Sequence, residues 1–299
     1  MSAAVLIDTD IGDDIDDALA LAFAVRSPEI ELVGVSTVFQ CAPLRARMAQ
    51  HVLEAWGRPE VSVAAGIDRP LLGSLRPEWT PNQAVVLRGA QQRPLHQAHA
   101  VDLIRERASR YDGLVLAPIG AMTNIAVALT LEPTLAERVR VVAMAGFWQQ
   151  PTSEWNVHCD PEALAMVLAS GVPVDFVGLD VTARCPMRAT DLDALASAPA
   201  DSPQTTLQKY VRAWRATVPQ QAAVLLHDPL AVAAVFRPDL FAWERGRVEV
   251  NLADRPEPRG VTRFHADAHG PHRVARTADT EAFLDLFGER VVGDGRAGN

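Results

Sequence analysis

From Ala3 to Val177, short apolar runs rich in β-branched residues take turns with helix-forming stretches. Ala3 to Ile7 and Ile30 to Val38 read as strands, because short continuous apolar runs suit strands covered on both faces. Between them, Ala18 to Ala24 is apolar on nearly every side, has high helix propensity, and stops before Ser27-Pro28. The alternation continues with helices over Leu44–Trp56, Ala98–Ser109, Asn124–Leu129 and Glu162–Ala169. Strands at Val61–Ala64, Leu114–Ala117, Val139–Met144 and Val174–Val177 fall between and after them. Repeated strand-helix units imply parallel strands with helices on both faces, so the expected class is α/β, with a mostly parallel central sheet flanked by helices. Gly66–Leu95, Gly146–His158 and Thr182–Pro203 interrupt the pattern, and loops this long are expected to bind or cover ligands. Thr205–Val235 returns to helix, Arg247–Arg276 reads as antiparallel strands and turns, and Thr280–Arg290 as a last helix. With no internal repeat or linker, one domain is expected over residues 1–292, with Gly293 to Asn299 a frayed tail.

Composition narrows the function. The net charge of −9 argues against a nucleic-acid partner, which needs a basic surface. No apolar run is long enough to span a bilayer, and Met1 to Ile7 lacks a basic start leading into a long apolar segment, so a cytoplasmic protein without a membrane partner is expected. Cys41, Cys159 and Cys185 are odd in number and form no CxxC pair, so each is expected to act as a small buried hydrophobe and not in a disulfide or zinc site. Lys209 is the only lysine, which removes most lysine-based chemistry.

The chemistry concentrates in four patches. Asp8-Thr9-Asp10-Ile11-Gly12-Asp13-Asp14-Ile15-Asp16-Asp17 puts six carboxylates in ten positions where the first strand meets the first helix. One or two can cap that helix. Six exceed that need, and hard oxygen ligands at the carboxyl end of a strand point to Mg²⁺ or Ca²⁺. In His227-Asp228-Pro229, Asp228 can simply cap a helix with proline at its first position, and that reading is preferred for the motif alone. His227 beside a carboxylate could serve as a general acid. Glu154 and Asn156, one residue apart in an extended segment, would point the same way, toward vicinal hydroxyls. Asp160-Pro161 reads as a helix start, and Thr123-Asn124 as a plausible helix cap.

Together and in this order, Asp8-Thr9-Asp10-x-Gly with Asp16-Asp17-Ala18, Met122-Thr123-Asn124, Glu154-Trp155-Asn156 and His227-Asp228-Pro229 resemble the inosine-uridine-preferring nucleoside hydrolase family, from Val5 to about Val235. The resemblance implies a Rossmann-like nucleoside hydrolase fold and calcium-dependent cleavage of a nucleoside's N-glycosidic bond, within salvage of purine or pyrimidine bases. It implies a calcium held by Asp10, Asp17, Asp228 and the backbone carbonyl of Thr123. It further implies Asp10 as general base, His227 as proton donor to the leaving base, and Asp16, Glu154 and Asn156 as ligands of the ribose hydroxyls. A homodimer or homotetramer acting on a small nucleoside is implied as well.

The chain departs from the family pattern in four places. Ile11 replaces the usual proline, and Asp13-Asp14 lengthens the acidic loop. Gln40-Cys41 stands where an asparagine is common, and Trp148-Gln149-Gln150 where another would reach the ribose. Arg76-Pro77-Glu78-Trp79 replaces a His-Gly loop, so Trp79 or Trp148 could stack on a base or merely pack its loop. Two rivals remain. Asp8-x-Asp10-x-Gly also resembles the nucleophile loop of haloacid-dehalogenase-type magnesium phosphatases, which need a lysine that only Lys209 could provide. A non-catalytic nucleoside or ribose binder would need neither Asp10 as base nor His227 as acid.

Overall fold

The chain alternates as β1 (Ala3–Thr9), α1 (Asp16–Val25), β2 (Ile30–Thr37), α2 (Ala42–Ala55), β3 (Val63–Ala65), α3 (Ala100–Arg110), β4 (Leu114–Pro118) and α4 (Thr123–Leu131). Then come β5 (Val139–Met144), α5 (Trp155–Cys159), α6 (Pro161–Ala169), β6 (Val174–Val177), α7 (Leu179–Thr182), α8 (Ala189–Ala196), α9 (Gln204–Arg215) and α10 (His227–Phe236). β7 (Phe241–Val250), β8 (Thr262–Ala266), β9 (His272–Ala278) and α11 (Thr280–Phe287) complete it. This is a computed structural model, and it describes residues 2–73, 79–90, 93–219 and 222–293. Arg76-Pro77-Glu78 and residues 294–299 of the expected tail lie outside the described residues.

The nine strands of the described residues form one sheet in the order β3-β2-β1-β4-β5-β6-β9-β7-β8. Every pairing from β3 to β9 is parallel, while β7 runs antiparallel to both β9 and β8. The chain leaves β1 toward β2 and β3 on one side and later returns to build β4, β5 and β6 on the other. The switch point therefore lies between β1 and β4, where open α/β sheets leave a crevice for ligands at the strands' carboxyl ends.

Two cores cover the two faces. One gathers α1, α2, α9, α10 and α11, and the other α3, α4 and α6. α1 is buried from Asp16 to Ala24, as its nearly all-apolar sequence requires. Its Phe23 packs against Phe236, Phe283 and Phe287 with ring centroids 5.7–5.9 Å apart. That packing fixes α1 beside α10, and the beginnings of these two helices face the crevice.

Several sequence expectations need correction. Thr182–Pro203 is not a bare loop but contains α8. The helix expected over Thr205–Val235 is two helices, since α9 ends at Arg215 and α10 starts at His227, with Pro219 unable to continue a helical ladder between them. Glu154 and Asn156 do not lie in an extended segment, because α5 begins between them. Cys159 and Cys185 are buried and Cys41 partly so, and none of the three forms a disulfide among the described residues. No helix of the described residues is long and apolar enough to cross a membrane.

Candidate active site

The acidic patch separates into carboxylates with different surroundings. Asp8, at the end of β1, is fully buried and accepts hydrogen bonds from Ser36 (2.6 Å) and Asn124 (2.8 Å). Burial raises its pKa to about 7 against the pull of those two donors. Asp13 bonds the Arg45 guanidinium at 2.7 Å and the Trp79 indole at 3.2 Å. Asp14 accepts from the Ile15 amide at 2.7 Å. The tight turn requires glycine at Gly12, whose φ is +129° and whose Cβ would sit 2.7 Å from the Pro81 Cβ.

Asp16 and Asp17 open α1, and Asp228 lies in the first turn of α10. Oxygens from all three lie within 4.8 Å of one another, and all three residues are buried. Thr9 donates its hydroxyl to Asp17, and the Asp228 amide donates to Asp16 at 3.2 Å. Burial, then repulsion among these neighbours, holds all three carboxyls well above the usual carboxylate range. Asp228 is not the cap that its Asp-Pro context suggested. Leu226 precedes the helix, and Asp228 belongs to the cluster instead. Asp10 lines the same cavity outside that tight trio, with its pKa raised to about 6 by burial against the pull of Arg45. A Cβ at Gly120 would come within 2.9 Å of the Asp10 amide and Oδ1, so the chain after β4 can approach this loop only with glycine there.

Across the cavity, Glu154 caps α5 by accepting from the amides of Asn156 (2.7 Å), Val157 (3.2 Å) and Gly146 (3.3 Å). Burial nevertheless pushes its pKa up to about 7. Asn156 donates its amide to the carbonyls of Ile119 and Met144, both at 3.0 Å, tying together the ends of β4 and β5. His227 Nδ1 lies 2.7 Å from the Thr182 hydroxyl, and burial lowers the ring's pKa to about 4. Asp10, Asp16, Asp17, Glu154, Asn156, His227 and Asp228 thus line one cavity of about 380 Å³. Thr123 is buried at the start of α4, and its hydroxyl bonds Asp160 at 2.7 Å instead of capping its own helix. Asp160 does cap α6, through the Ala163 amide at 3.1 Å.

Sequence reasoning missed Arg45. Its fully buried guanidinium donates to the carbonyls of Phe39 (2.7 Å), Gln40 (2.8 Å), Ile11 (2.9 Å) and Asp10 besides Asp13. It thereby ties the acidic loop to residues 39–41, all of which have positive φ without being glycine. The signal was present, since Ala42, Arg45, Ala46, Ala49, Val52 and Leu53 form one buried helical stripe. Trp155 and Trp214 were likewise not singled out, yet both line the cavity with Trp79. Trp79 stacks on Trp155 at 6.3 Å, whereas Trp148 packs edge-on against Phe176 and Phe264 away from the cavity. Exposed Lys209 is not among the cavity-lining residues, so the acidic cluster has no lysine of the kind a phosphatase needs.

This fold sets carboxylates, a histidine and an asparagine around the crevice where open α/β sheets bind ligands, a donor set compatible with carboxylate-assisted glycosidic cleavage. The family described as inosine-uridine preferring nucleoside hydrolase matches residues 5–285, and the chain belongs to it. It is 29% identical to uridine nucleosidase 1 of Arabidopsis thaliana, covering 96% of this chain and 93% of that one. A solved plant nucleoside hydrolase superposes with a TM-score of 0.85 at 26% identity, covering 98% of this chain and 99% of that chain. A purine-preferring ribonucleoside hydrolase from Gardnerella vaginalis gives 0.82 at 27%, covering 97% and 98%. The chain is accordingly a nucleoside N-ribohydrolase that acts on small ribonucleoside substrates, with an acidic cluster able to bind a metal.

Proposed function

We propose that the enzyme is calcium-dependent, with Asp10, Asp17, Asp228 and the Thr123 carbonyl as ligands. The supporting observation is that two of these ligands, Asp17 and Asp228, form with Asp16 a trio of buried carboxylates whose oxygens lie within 4.8 Å of one another, with Asp10 lining the same cavity. Buried like charges are costly unless a cation offsets them. Arg45 is turned toward Asp13 and the backbone. An oxygen-only donor set matches a hard cation, and calcium's loose coordination leaves room for sugar hydroxyls and water. When bound, the ion supplies positive charge that orients the ribose and acidifies a water.

The chain's own residues do the rest. Asp10 accepts the proton of the attacking water at its carboxylate. Asp16, Glu154 and Asn156 accept hydrogen bonds from the ribose hydroxyls. Because the Asn156 amide is already bonded to two backbone carbonyls, its Oδ1 is the atom left for a sugar. As the glycosidic bond breaks, positive charge grows on the ribosyl ring, and the surrounding carboxylates stabilise it. Burial keeps His227 neutral in the resting site; in the tautomer in which Thr182 donates to Nδ1, its Nε2–H hydrogen-bonds the leaving base, and the ring acts as an acid only once it has itself taken a proton to become imidazolium. A homodimer or homotetramer in the cytoplasm, serving base salvage, completes the proposal, and light scattering tests the assembly.

Ribose release from inosine, adenosine, guanosine, uridine and cytidine, with and without a calcium chelator, tests the reading, with p-nitrophenyl phosphate as control. Chelator-sensitive release that calcium restores supports it; release indifferent to the chelator overturns the metal's part. Asp10→Asn should lower kcat by about 10² to 10⁴-fold. His227→Ala should mainly slow substrates with poor leaving bases, and wild-type rates in the Asp10 variant would sink the mechanism.

A further inference from the structure

At the amino ends of the parallel strands, opposite the crevice at their carboxyl ends, β5, β6 and β9 each carry a charged second residue: Arg140, Asp175 and Arg273. Asp175 pairs in register with Arg273, and Arg273 with Arg245 of β7. Val142 pairs with Asp175, so Arg140, two residues earlier on β5, shares the same face. The pleat therefore sets three guanidiniums and one carboxylate side by side across four adjacent strands.

Their charges do not balance. Arg273 grips Asp175 through two hydrogen bonds of 2.7 and 2.5 Å, and Arg140 reaches the same carboxylate at 3.7 Å. Arg245 donates to the Gly270 carbonyl at 2.9 Å and has no carboxylate partner among the described residues. Like charges placed directly opposite on antiparallel strands repel, and Arg245 faces Arg273 in that way. A cavity of about 490 Å³ opens over this row, walled by Pro173 and the turn His269-Gly270-Pro271.

We propose that this row is an anion site, separate from the active-site cavity, that takes a phosphate group between Arg140, Arg245 and Arg273. With Nε and Nη2 of Arg273 already on Asp175, Arg245 supplies the fork that matches a pair of phosphate oxygens, and a dianion here would relieve the Arg245–Arg273 repulsion while gaining charge-assisted bonds. Ligand cavities commonly measure about 300 to 1,000 Å³, so the space admits a phosphate ester as large as a nucleoside monophosphate. Because the chain as a whole carries −9, the attraction is local and should weaken as salt screens it.

Calorimetric titration of the metal-loaded enzyme, once with inorganic phosphate and once with uridine 5′-monophosphate, tests the site. One saturable site per chain is expected, with binding at least tenfold weaker in Arg245→Gln, whose amide can still bond the Gly270 carbonyl. Arg273→Lys, which keeps the charge but loses the fork, should fall between them. Tighter binding of the ester would identify it as the occupant, and equal binding would assign the site to the phosphate group alone. Nucleoside hydrolysis should be unchanged in Arg245→Gln, and its unliganded melting should be no lower, since the repulsion with Arg273 is gone. No saturable binding by either probe, or binding that Arg245→Gln leaves intact, overturns the proposal.

Discussion

The two ends of the sheet carry opposite errors of charge. At the carboxyl ends, Asp16, Asp17 and Asp228 are buried together, with their carboxyls held above the normal range. At the amino ends, Arg140 and Arg273 share Asp175, Arg245 beside them has no carboxylate among the described residues, and all three are partly or largely open to water. Water screens the second imbalance cheaply, and burial denies that relief to the first. Departures from neutrality therefore differ in consequence with their burial, and the buried one marks the proposed catalytic end.

Deleting one ionic partner at each end is the sharpest way to break this comparison. Arg45→Met leaves several buried carbonyls without their donor and Asp13 without its cation, so it should cost about 3–5 kcal/mol in denaturant melts, together with most activity. A loss under about 1 kcal/mol would mean that the acidic loop holds its shape without the guanidinium. Next in size is the metal. Carboxyls raised in the folded state hold protons that the unfolded chain has released, so metal-free stability should fall as pH rises from about 4 through neutrality. Calcium binds the deprotonated form and at 100 times its Kd would add about 2.7 kcal/mol. The gap in Tm between calcium and chelator should accordingly widen from pH 5 to pH 8; a constant gap would remove these carboxylates from metal binding. Trp155→Ala should raise KM by about 0.5–1.5 kcal/mol, roughly 2 to 10-fold, if its stack with Trp79 continues onto the base. An unchanged KM would make the pair a rim contact. Smallest is Asp175→Asn, expected to cost no more than about 1 kcal/mol in the same melts because its partners reach water.

The alternation of strands and helices was legible from β1 to β6 because each strand is buried on both faces and so reads as an unbroken apolar run. Val139–Met144 and Val174–Val177 matched to the residue. α5 was illegible because its short length gives no periodicity, and its start is set by Glu154 bonding amides from two segments. The sequence drew the candidate residues to one place through motif order, and seven of them line the cavity. Arg45 escaped because a buried arginine contradicts ordinary patterning, and only the carbonyls of distant loops account for it.

The bond from Asn156 to the ends of β4 and β5 also bears on which sugars the enzyme refuses. With its amide already occupied, Asn156 offers the cavity an acceptor, and the carboxylates of Glu154 and Asp16 are acceptors too. As the proposed sugar wall, these acceptors ask for a hydroxyl at each place. A 2′-deoxynucleoside would leave one of them facing nothing, and sites built to bond a missing hydroxyl reject such analogues by about 10⁴ to 10⁵-fold. Nucleosides derived from RNA would be consumed while those derived from DNA pass untouched.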